Sequence, residues 1–407
     1  VCNLGVLFGF KYTAFFVENL NNWFGLGIPV PNIVLPIGIS FYTFQTISYT
    51  VDCYWGKVKP QKNFGRFLLY VSMFPQLVAG PIVRYSVIGE EINERKTTAK
   101  DISDGFSRII LGLGKKVIIA NNLSTVATAL FGSASNGYEN IKTLSVTGTW
   151  LGAVLVGLWY YFDFSGYSDI AIGLGRIFGF HFDENFKYPF ICKTISEFWQ
   201  RWHISLSSFF RDYVLYLPIF GKRRKYGGLF LVWFCTGLWH GASWKYVMYG
   251  LYYWAIMIIG LLTEPFFKKL YEKMHVDRQG KIYRLLQVVR TFIFVNVGML
   301  MFRADDLTAF GHMFASMFRG FTFADLTNGT LLGMKLDMAD FVVLTVGALI
   351  LFLVGLYKEK GHQIRAELAT KNIVLRWAVY YVLLFGVIIL GAYGKGYEVA
   401  GFIYAQF

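Results

Sequence analysis

Charged side chains are scarce in this sequence. They make up 16% of its 407 residues, while hydrophobic residues make up 55% and aromatic residues 19%. Typical soluble domains carry about a quarter charged residues. The mean hydropathy is +0.45. This balance excludes an ordinary soluble globular protein and predicts an integral membrane protein.

Acidic residues are the scarcer of the two charge classes. The chain has 25 Asp and Glu against 39 Lys and Arg, which gives a formal net charge of +14. The basic residues gather between apolar runs, as in Lys222–Lys225 and Lys268–Arg290. Lys and Arg near membrane ends are retained in the cytoplasm, so we expect both segments there. Basic cytoplasmic loops therefore explain the positive charge more simply than a nucleic-acid-binding surface does.

Cysteine is also rare, and its spacing is uninformative. Cys2, Cys53, Cys192 and Cys235 form no CxxC pair and no metal-ligand pattern. We therefore predict small buried side chains, with no disulfide framework and no metal site. The glycines of 112–114 and 173–179 lack the GxGxxG spacing, so helix packing is favoured over a nucleotide loop.

The chain lacks a soluble domain, an internal repeat and a low-complexity tract, so we assign residues 1–407 to one membrane-embedded domain. Its first residues lack the basic, apolar and small-residue zones of a signal peptide. The chain starts at Val1 and enters an apolar segment at once, from which we expect further membrane helices to precede it.

Apolar runs of spanning length mark the membrane helices. They are Thr143–Phe162, Tyr246–Thr263, Leu285–Phe302, Phe341–Tyr357 and Trp377–Gly394. The run Phe67–Val83 is split by prolines, which predicts a kinked or re-entrant element. The segment Asp305–Phe323 is short and amphipathic, as interfacial helices are. The sequence thus predicts an all-α, polytopic transmembrane bundle with kinked, re-entrant and interfacial helices.

The stretch Thr194–Trp244 concentrates the polar chemistry. Thr194 and Glu197 form a capping-box pattern that predicts a helix start. Apolar residues then recur at helical spacing as far as Tyr213, and Glu197 and Arg201 stand four residues apart on the polar side. We expect one amphipathic helix here, at a membrane surface or along a polar cavity.

Two histidines in this stretch are candidates for proton transfer. His203 lies at the edge of the apolar face, and His240 lies at apolar depth. A neutral imidazole is the usual acceptor of a hydroxyl proton, and burial favours the neutral form. Helical spacing would place Thr236 and Trp244 on the same face as His240. For His240, a bond to a helix carbonyl is the purely structural alternative.

Asp163 and Asp169 bracket a short segment in which Gly166 would permit a tight bend. An acid at the end of an apolar run is costly in a membrane. Its carboxylate could orient backbone or imidazole donors, or serve only to hold the fold. A glycosidase carboxylate pair is a poor explanation because nothing else indicates a saccharide cleft.

Several motifs in this chain resemble those of one enzyme family. They are Phe198-Trp-Gln-Arg-Trp-His203-Ile-Ser-Leu-Ser207, Arg211-Asp-Tyr213, Gly237-Leu-Trp-His240-Gly-Ala-Ser-Trp244, Phe162-Asp-Phe-Ser-Gly-Tyr-Ser-Asp169, Phe74-Pro-Gln-Leu-Val-Ala-Gly-Pro81 and Phe402-Ile-Tyr-Ala-Gln-Phe407. They resemble membrane-bound O-acyltransferases of the alginate O-acetylation type. The segment Tyr216-Leu-Pro-Ile-Phe-Gly-Lys222 departs from the family's pattern.

The resemblance implies a helix bundle around a central tunnel, with residues 194–244 as its catalytic core. It implies that His240 is the catalytic histidine and His203 a second active-site residue. The side chains we expect to contact substrate are Arg201, Trp202, Trp239, Trp244, Asp163 and Arg211. No bound cofactor or metal is expected, and the donor would be acetyl-CoA or another acyl thioester.

The implied reaction moves an acetyl group from a cytoplasmic donor, across a bacterial inner or plasma membrane, to hydroxyls of a cell-surface polysaccharide. An extracytoplasmic acetyl-transferring or esterase-like protein would be the partner. D-Alanyl transfer to teichoic acid is the nearest alternative. A proton-coupled transporter and a bis-histidine haem protein are alternatives of other classes.

Overall fold

A computed structural model describes residues 2–132, 139–217, 222, 224–327 and 336–393. The described residues form α-helices and loops, with no β-strand among them. The helices are α1 (Cys2–Lys11), α2 (Thr13–Phe24), α3 (Ile39–Tyr54), α4 (Phe64–Ser72), α5 (Phe74–Leu77), α6 (Tyr85–Asn93), α7 (Ala99–Gly114), α8 (Asn121–Phe131), α9 (Glu139–Thr143), α10 (Val146–Ile177), α11 (Ile195–Arg201), α12 (Ile204–Tyr213), α13 (Lys225–His240), α14 (Trp244–Lys273), α15 (Lys281–Arg303), α16 (Leu307–Ser316), α17 (Ala324–Thr327), α18 (Met338–Glu359), α19 (Ile364–Ala369) and α20 (Ile373–Leu390). A π-helical turn, Lys115–Ala120, joins α7 to α8, and Pro189–Ile191 is a 3₁₀ turn.

Five helices in the described residues are long and apolar enough to cross a membrane. They are the continuous rod Ala99–Phe131, then α14, α15, α18 and α20. Of the apolar runs predicted to span in the second half of the chain, Tyr246–Thr263, Leu285–Phe302 and Phe341–Tyr357 fall within these helices, and Trp377–Gly394 overlaps α20, which ends at Leu390. The prediction of an all-α polytopic bundle is therefore confirmed.

The proline-rich run before residue 83 is broken, as predicted. Helix α4 ends at Ser72, Met73 is extended with ψ 115°, and α5 is a single turn that begins at Phe74. The motif 402–407 and residues 218–221 of the departing loop lie outside the described residues.

Glycines bring two pairs of helices into backbone contact. A Cβ at Gly112 of α7 would lie 2.5 Å from the carbonyl oxygen of Gly166 on α10, and one at Gly105 would lie 2.6 Å from that of Gly173. On α14, a Cβ at Gly250 would lie 2.2 Å from the carbonyl oxygen of Trp233 on α13. Small residues permit such close crossings in membranes. The prediction that Gly112 and Gly173 serve helix packing is confirmed.

The expected bend at Gly166 is wrong. Helix α10 runs without interruption for 32 residues from Val146 to Ile177. Gly166 is used for the contact with α7, which needs a missing Cβ and not a turn. Asp163 and Asp169 therefore lie on one continuous helix, each with a lysine partner: Lys116 Nζ lies 2.5 Å from Asp163 and Lys115 Nζ 2.7 Å from Asp169.

The single amphipathic helix expected from residue 194 to residue 213 is also wrong. It is two helices, α11 and α12, and His203 between them has φ 46° and ψ 55°. A left-handed conformation is uncommon for a residue with a side chain and ends a helix. The N-cap is as expected, because Thr194 Oγ1 accepts from Glu197 N at 3.0 Å. The Glu197 carboxylate, however, accepts from Lys193 N and not from the capping residue.

Candidate active site

The end of α13 presents His240. Its backbone is fixed by the close crossing of α13 and α14, and Gly241 ends the helix at the next residue. Helix α14 begins only at Trp244, so Trp244 does not share a helical face with His240, contrary to expectation. His240 is thus the last helical residue, with its backbone held and its side chain turned into the core, where it is 5% exposed.

Aromatic rings surround the His240 imidazole. The ring centroids of Trp239, Phe302 and Tyr249 lie 4.9, 5.0 and 5.7 Å from that of the imidazole. Beside it lies a cavity of about 20 Å³, lined by Tyr160, Phe164, Trp202, His240, Tyr249, Met299 and Phe302. A space of that size holds one water-sized group. A hydroxyl or a carbonyl oxygen could therefore reach the imidazole with little other solvent beside it.

The break between α11 and α12 places His203 in the same region. Its side chain is 1% exposed, and its ring packs edge-on against Phe164 at 4.6 Å. Left-handed backbone at a residue other than glycine costs roughly 1–3 kcal/mol and persists where surrounding contacts enforce it. Here the enforcing contacts come from the loop that follows α10.

One indole contacts both imidazoles. The ring of Trp239 lies 5.7 Å from that of His203 and 4.9 Å from that of His240. Trp239 itself is buried and packs on Phe41 and Phe44 of α3. The structure therefore brings the two histidines, 37 residues apart in the chain, to one aromatic ring at the core of the bundle.

Asn185 anchors His203, a role that the sequence patterns did not predict. Its Oδ1 lies 3.2 Å from His203 Nδ1 and accepts from Ser205 Oγ at 2.9 Å, while its backbone carbonyl accepts from Ile204 N. Its Nδ2 donates to Ser168 Oγ at 3.1 Å. The only sequence signal is an amide in the short polar run between α10 and the 3₁₀ turn, and no spacing pattern connects it to residue 203.

The other residues predicted to contact substrate divide into two groups. Trp202 and Trp239 lie against the histidines, whereas Arg201 ion-pairs with Glu197 at 2.9 Å and with Glu359 at 2.8 Å on the surface. Arg211 is exposed beside Asp212, Trp244 is 43% exposed, and Asp163 is buried with Lys116. The structure does not bring Arg201, Arg211 or Trp244 to the histidines, and it pairs Asp163 with Lys116.

A much larger chamber, of about 860 Å³, lies between α7, α10 and α18. One wall is apolar and includes Leu158, Phe162, Phe292, Leu351 and Phe352. Its polar part carries the basic residues Arg108, Lys115, Arg176, Lys187, Lys358 and Arg365 and the acids Asp104, Asp169 and Glu184. Ser168 and Asn185 also line it, so the chamber reaches the groups that hold His203.

Three aromatic rings separate the chamber from the small cavity at His240. We call Phe164, Phe186 and Trp202 the aromatic partition. Phe186 lines the chamber, while Phe164 and Trp202 line the cavity. The ring of Phe186 lies 5.1 Å from Phe164 and 5.2 Å from Trp202, edge-on to both. These three rings thus lie between the chamber and the small cavity at His240.

Comparison with known proteins shows which family this chain belongs to. A family model for the membrane-bound O-acyltransferase family, MBOAT, matches residues 59–302, which include both histidines. The chain is 37% identical over 358 residues to the probable alginate O-acetylase AlgI of Azotobacter vinelandii, covering 85% of this chain and 68% of that relative. The chain belongs to the MBOAT family. It is a multi-pass membrane protein and an O-acyltransferase, and this replaces the transporter and haem readings.

Other relatives in the family act on different polymers, by their names. The chain is 33% identical over 338 residues to a peptidoglycan O-acetyltransferase of Helicobacter pylori, covering 75% of this chain and 61% of that one. It is 31% identical over 293 residues to a teichoic acid D-alanyltransferase of Bacillus subtilis, covering 67% and 70%. About a third of each relative lies outside these alignments. In this chain, α1, α2 and α3 precede the region that the MBOAT model matches.

Proposed function

We propose that this MBOAT protein moves an acetyl group from an acyl thioester, bound in the chamber from the cytoplasmic side, to hydroxyls of a cell-surface polysaccharide. The observation that carries the proposal is the contact of both imidazoles with Trp239, beside the aromatic partition that borders the chamber. The donor would be acetyl-CoA or another acyl thioester, and the enzyme would act in a bacterial inner or plasma membrane.

The chamber suits the long, anionic donor. Its volume lies in the usual range for small-molecule sites, and it offers an apolar wall with a basic end. Arg108 pairs with Glu184 and Asp169. Six basic side chains line the chamber against three acidic ones, so the lining carries an excess of positive charge. A phosphate-bearing donor would be attracted to that end, with its acyl thioester directed toward Asn185 and the partition.

The cytoplasmic assignment rests on charge. Arg290 of α15 donates to the carbonyl of Lys193, and Arg201 of α11 pairs with Glu359 at the end of α18. Lys358 and Arg365, which line the chamber, therefore lie at the same end of the bundle as the basic flank around residues 268–290. Lys and Arg flanking spanning helices are retained in the cytoplasm. His240 packs on Phe302, twelve residues or about 18 Å farther along α15 than Arg290.

In the transfer step, His240 is the general base. Its imidazole takes the proton of the acceptor hydroxyl as that oxygen attacks the thioester carbonyl, forming the C–O bond. The C–S bond then breaks, and the proton passes to the departing thiolate. The dry aromatic surroundings of His240 strengthen the interactions that stabilise developing charge there. Trp239 and Asn185 hold the imidazoles in place, and an extracytoplasmic acetyl-transferring or esterase-like partner would complete polymer modification.

Reconstituted enzyme tests the donor and acceptor together. Nanodiscs containing the protein receive acetyl-labelled CoA thioester or, separately, a D-alanyl carrier thioester, with alginate-type polysaccharide or teichoic acid as acceptor. We expect labelled ester from the acetyl donor and polysaccharide only. Label from the D-alanyl donor on teichoic acid alone would favour the activity named for the Bacillus subtilis relative. Loss of signal in His240→Gln distinguishes enzymatic from spontaneous transfer.

Single cysteines in a cysteine-free background test the direction. Asp277→Cys, in the loop between α14 and α15, should react with an impermeant thiol reagent only after cells are permeabilised. Phe321 is exposed near the start of α10, at the end of the bundle opposite to Asp277. Phe321→Cys should therefore react in intact cells. The reverse pattern would contradict a cytoplasmic donor chamber.

A further inference from the structure

Residues of α1, of α2 and of the junction between them form hydrogen bonds with the turn that carries His240. Lys11 Nζ donates to the carbonyl oxygen of Trp239 at 2.6 Å, and Tyr12 Oη donates to that of Leu238 at 2.7 Å. On the other side of the turn, Trp244 Nε1 donates to Asn19 Oδ1 at 2.7 Å. We call Lys11, Tyr12 and Asn19 the N-terminal clamp. It holds both the end of α13 and the start of α14.

Lys11 satisfies a group at the helix end, the carbonyl of Trp239, while the Leu238 carbonyl that Tyr12 bonds also accepts from Gly241 N. The last carbonyls of an α-helix have no partner within it, and in an apolar environment each unsatisfied one is costly. A cation at a helix C-terminus also opposes the partial negative charge there. Lys11 supplies both effects, and it is tied to α3 as well through Ser40 Oγ at 3.0 Å. Bonds from an ammonium group are among the stronger hydrogen bonds.

The clamp acts on the backbone one residue from the imidazole. The carbonyl held by Lys11 belongs to the peptide that joins Trp239 to His240, and Trp239 is also the ring that touches both histidines. A loosened helix end would let that peptide rotate and move both rings. None of the clamp residues lines the donor chamber. The clamp therefore affects the position of the base and leaves donor binding unaffected.

We propose that Lys11 and Tyr12 are positioning residues for His240 in acyl transfer. The inference rests on the proposed function, in which His240 is the base. It goes beyond the family assignment because the clamp precedes the region, residues 59–302, that the MBOAT model matches. Through these contacts, a segment outside that region controls the geometry of a catalytic side chain inside it.

Steady-state transfer by the full chain in nanodiscs tests the proposal. Lys11→Met and Tyr12→Phe keep the approximate shape and remove one donor each. We expect kcat to fall roughly ten- to hundredfold, the scale of small misplacements of catalytic groups, with the KM for the acyl thioester unchanged. Lys11→Arg should restore most of kcat, because the guanidinium can donate to the same carbonyl. Thr13→Val is the matched control and should behave as wild type, because the Thr13 hydroxyl donates to the carbonyl of Gly9 in α1 and not to the turn that carries His240.

Hydrogen exchange of the peptide around residues 236–246 gives a second measure that needs no activity. Exchange should quicken there in Lys11→Met and stay unchanged in α18. Wild-type kcat and exchange in both Lys11→Met and Tyr12→Phe, alongside an inactive His240→Gln, would overturn the clamp and leave the proposed function intact. An active His240→Gln would instead overturn the proposed function itself.

Discussion

The Nδ1 atom of His203 lies 3.2 Å from Oδ1 of Asn185, and both residues are fully enclosed. The same amide binds Ser205 and Ser168, so it connects α10 to the break between α11 and α12. The imidazole orientation of His203 is therefore set by a residue on a loop and not by its own helix. This connection leads to the first prediction.

Asn185→Leu should lower acyl transfer by about ten- to hundredfold at matched protein level. Leucine keeps the volume, but it removes the oxygen that orients His203 and leaves the half-buried Ser205 hydroxyl with one partner fewer. Initial rates in nanodiscs measure the effect. Asn122→Leu is the control, since that buried amide donates to the carbonyl of Ile118 in the preceding π-helical turn and not to a histidine. A folded Asn185→Leu enzyme with wild-type rate would refute the orienting role.

The buried pair Lys116 and Asp163 should matter for stability. Their 2.5 Å contact joins the π-helical turn to α10, with side chains 7% and 1% exposed. Removing one partner leaves an uncompensated buried charge, which costs about 3–5 kcal/mol, whereas replacing both by apolar groups is often neutral. We expect Asp163→Leu to lower the melting temperature in detergent and Lys116→Met with Asp163→Leu to recover most of it.

That double substitution also separates stability from activity. If Asp163 contacts substrate, as the sequence indicated, the recovered protein will still be inactive. If the carboxylate serves only to hold α10 against the π-helical turn, the double variant will transfer acyl groups normally.

The chamber wall on α18 offers a test of donor access. Ala348 lines the chamber, whereas Val346, two residues earlier, is 49% exposed on the outside of the bundle. Ala348→Trp should fill part of the chamber and raise the KM for the acyl thioester by about tenfold or more, while Val346→Trp should not. Equal KM values in the two variants would place donor binding elsewhere.

The sequence predicted the helices of the second half of the chain well. Uncharged runs of spanning length are fixed by the bilayer's need for internally bonded backbone, so α14, α15 and α18 follow from composition alone. The break at His203 did not follow. Apolar spacing continues across residues 195–213, and the left-handed backbone at His203 is enforced by Asn185, a contact that no local pattern encodes.

Contacts between distant parts of the chain also explain the other differences between the predicted and the observed structure. The bend expected at Gly166 assumed that a glycine marks a turn, but here its missing Cβ admits α7. Trp244 was placed beside His240 on the assumption of one continuous helix, and the turn at Gly241 ends that helix. Lys11 lies in an apolar run, and no local pattern indicates what it contacts. Its partner, Trp239, is 228 residues away.

The most direct test compares His240 with Cys235, five residues earlier on α13. Cys235 packs among the apolar side chains around Phe44 and Trp239, so a covalent route through its thiol is the rival to base catalysis. Acetyl transfer from thioester to polysaccharide is measured in membranes at matched protein level. We expect Cys235→Ala to keep most activity and His240→Gln to lose about 10²–10⁴-fold, the usual size of general-base catalysis, with the protein still inserted. Retained activity in His240→Gln, or abolished activity in Cys235→Ala, would contradict the mechanism.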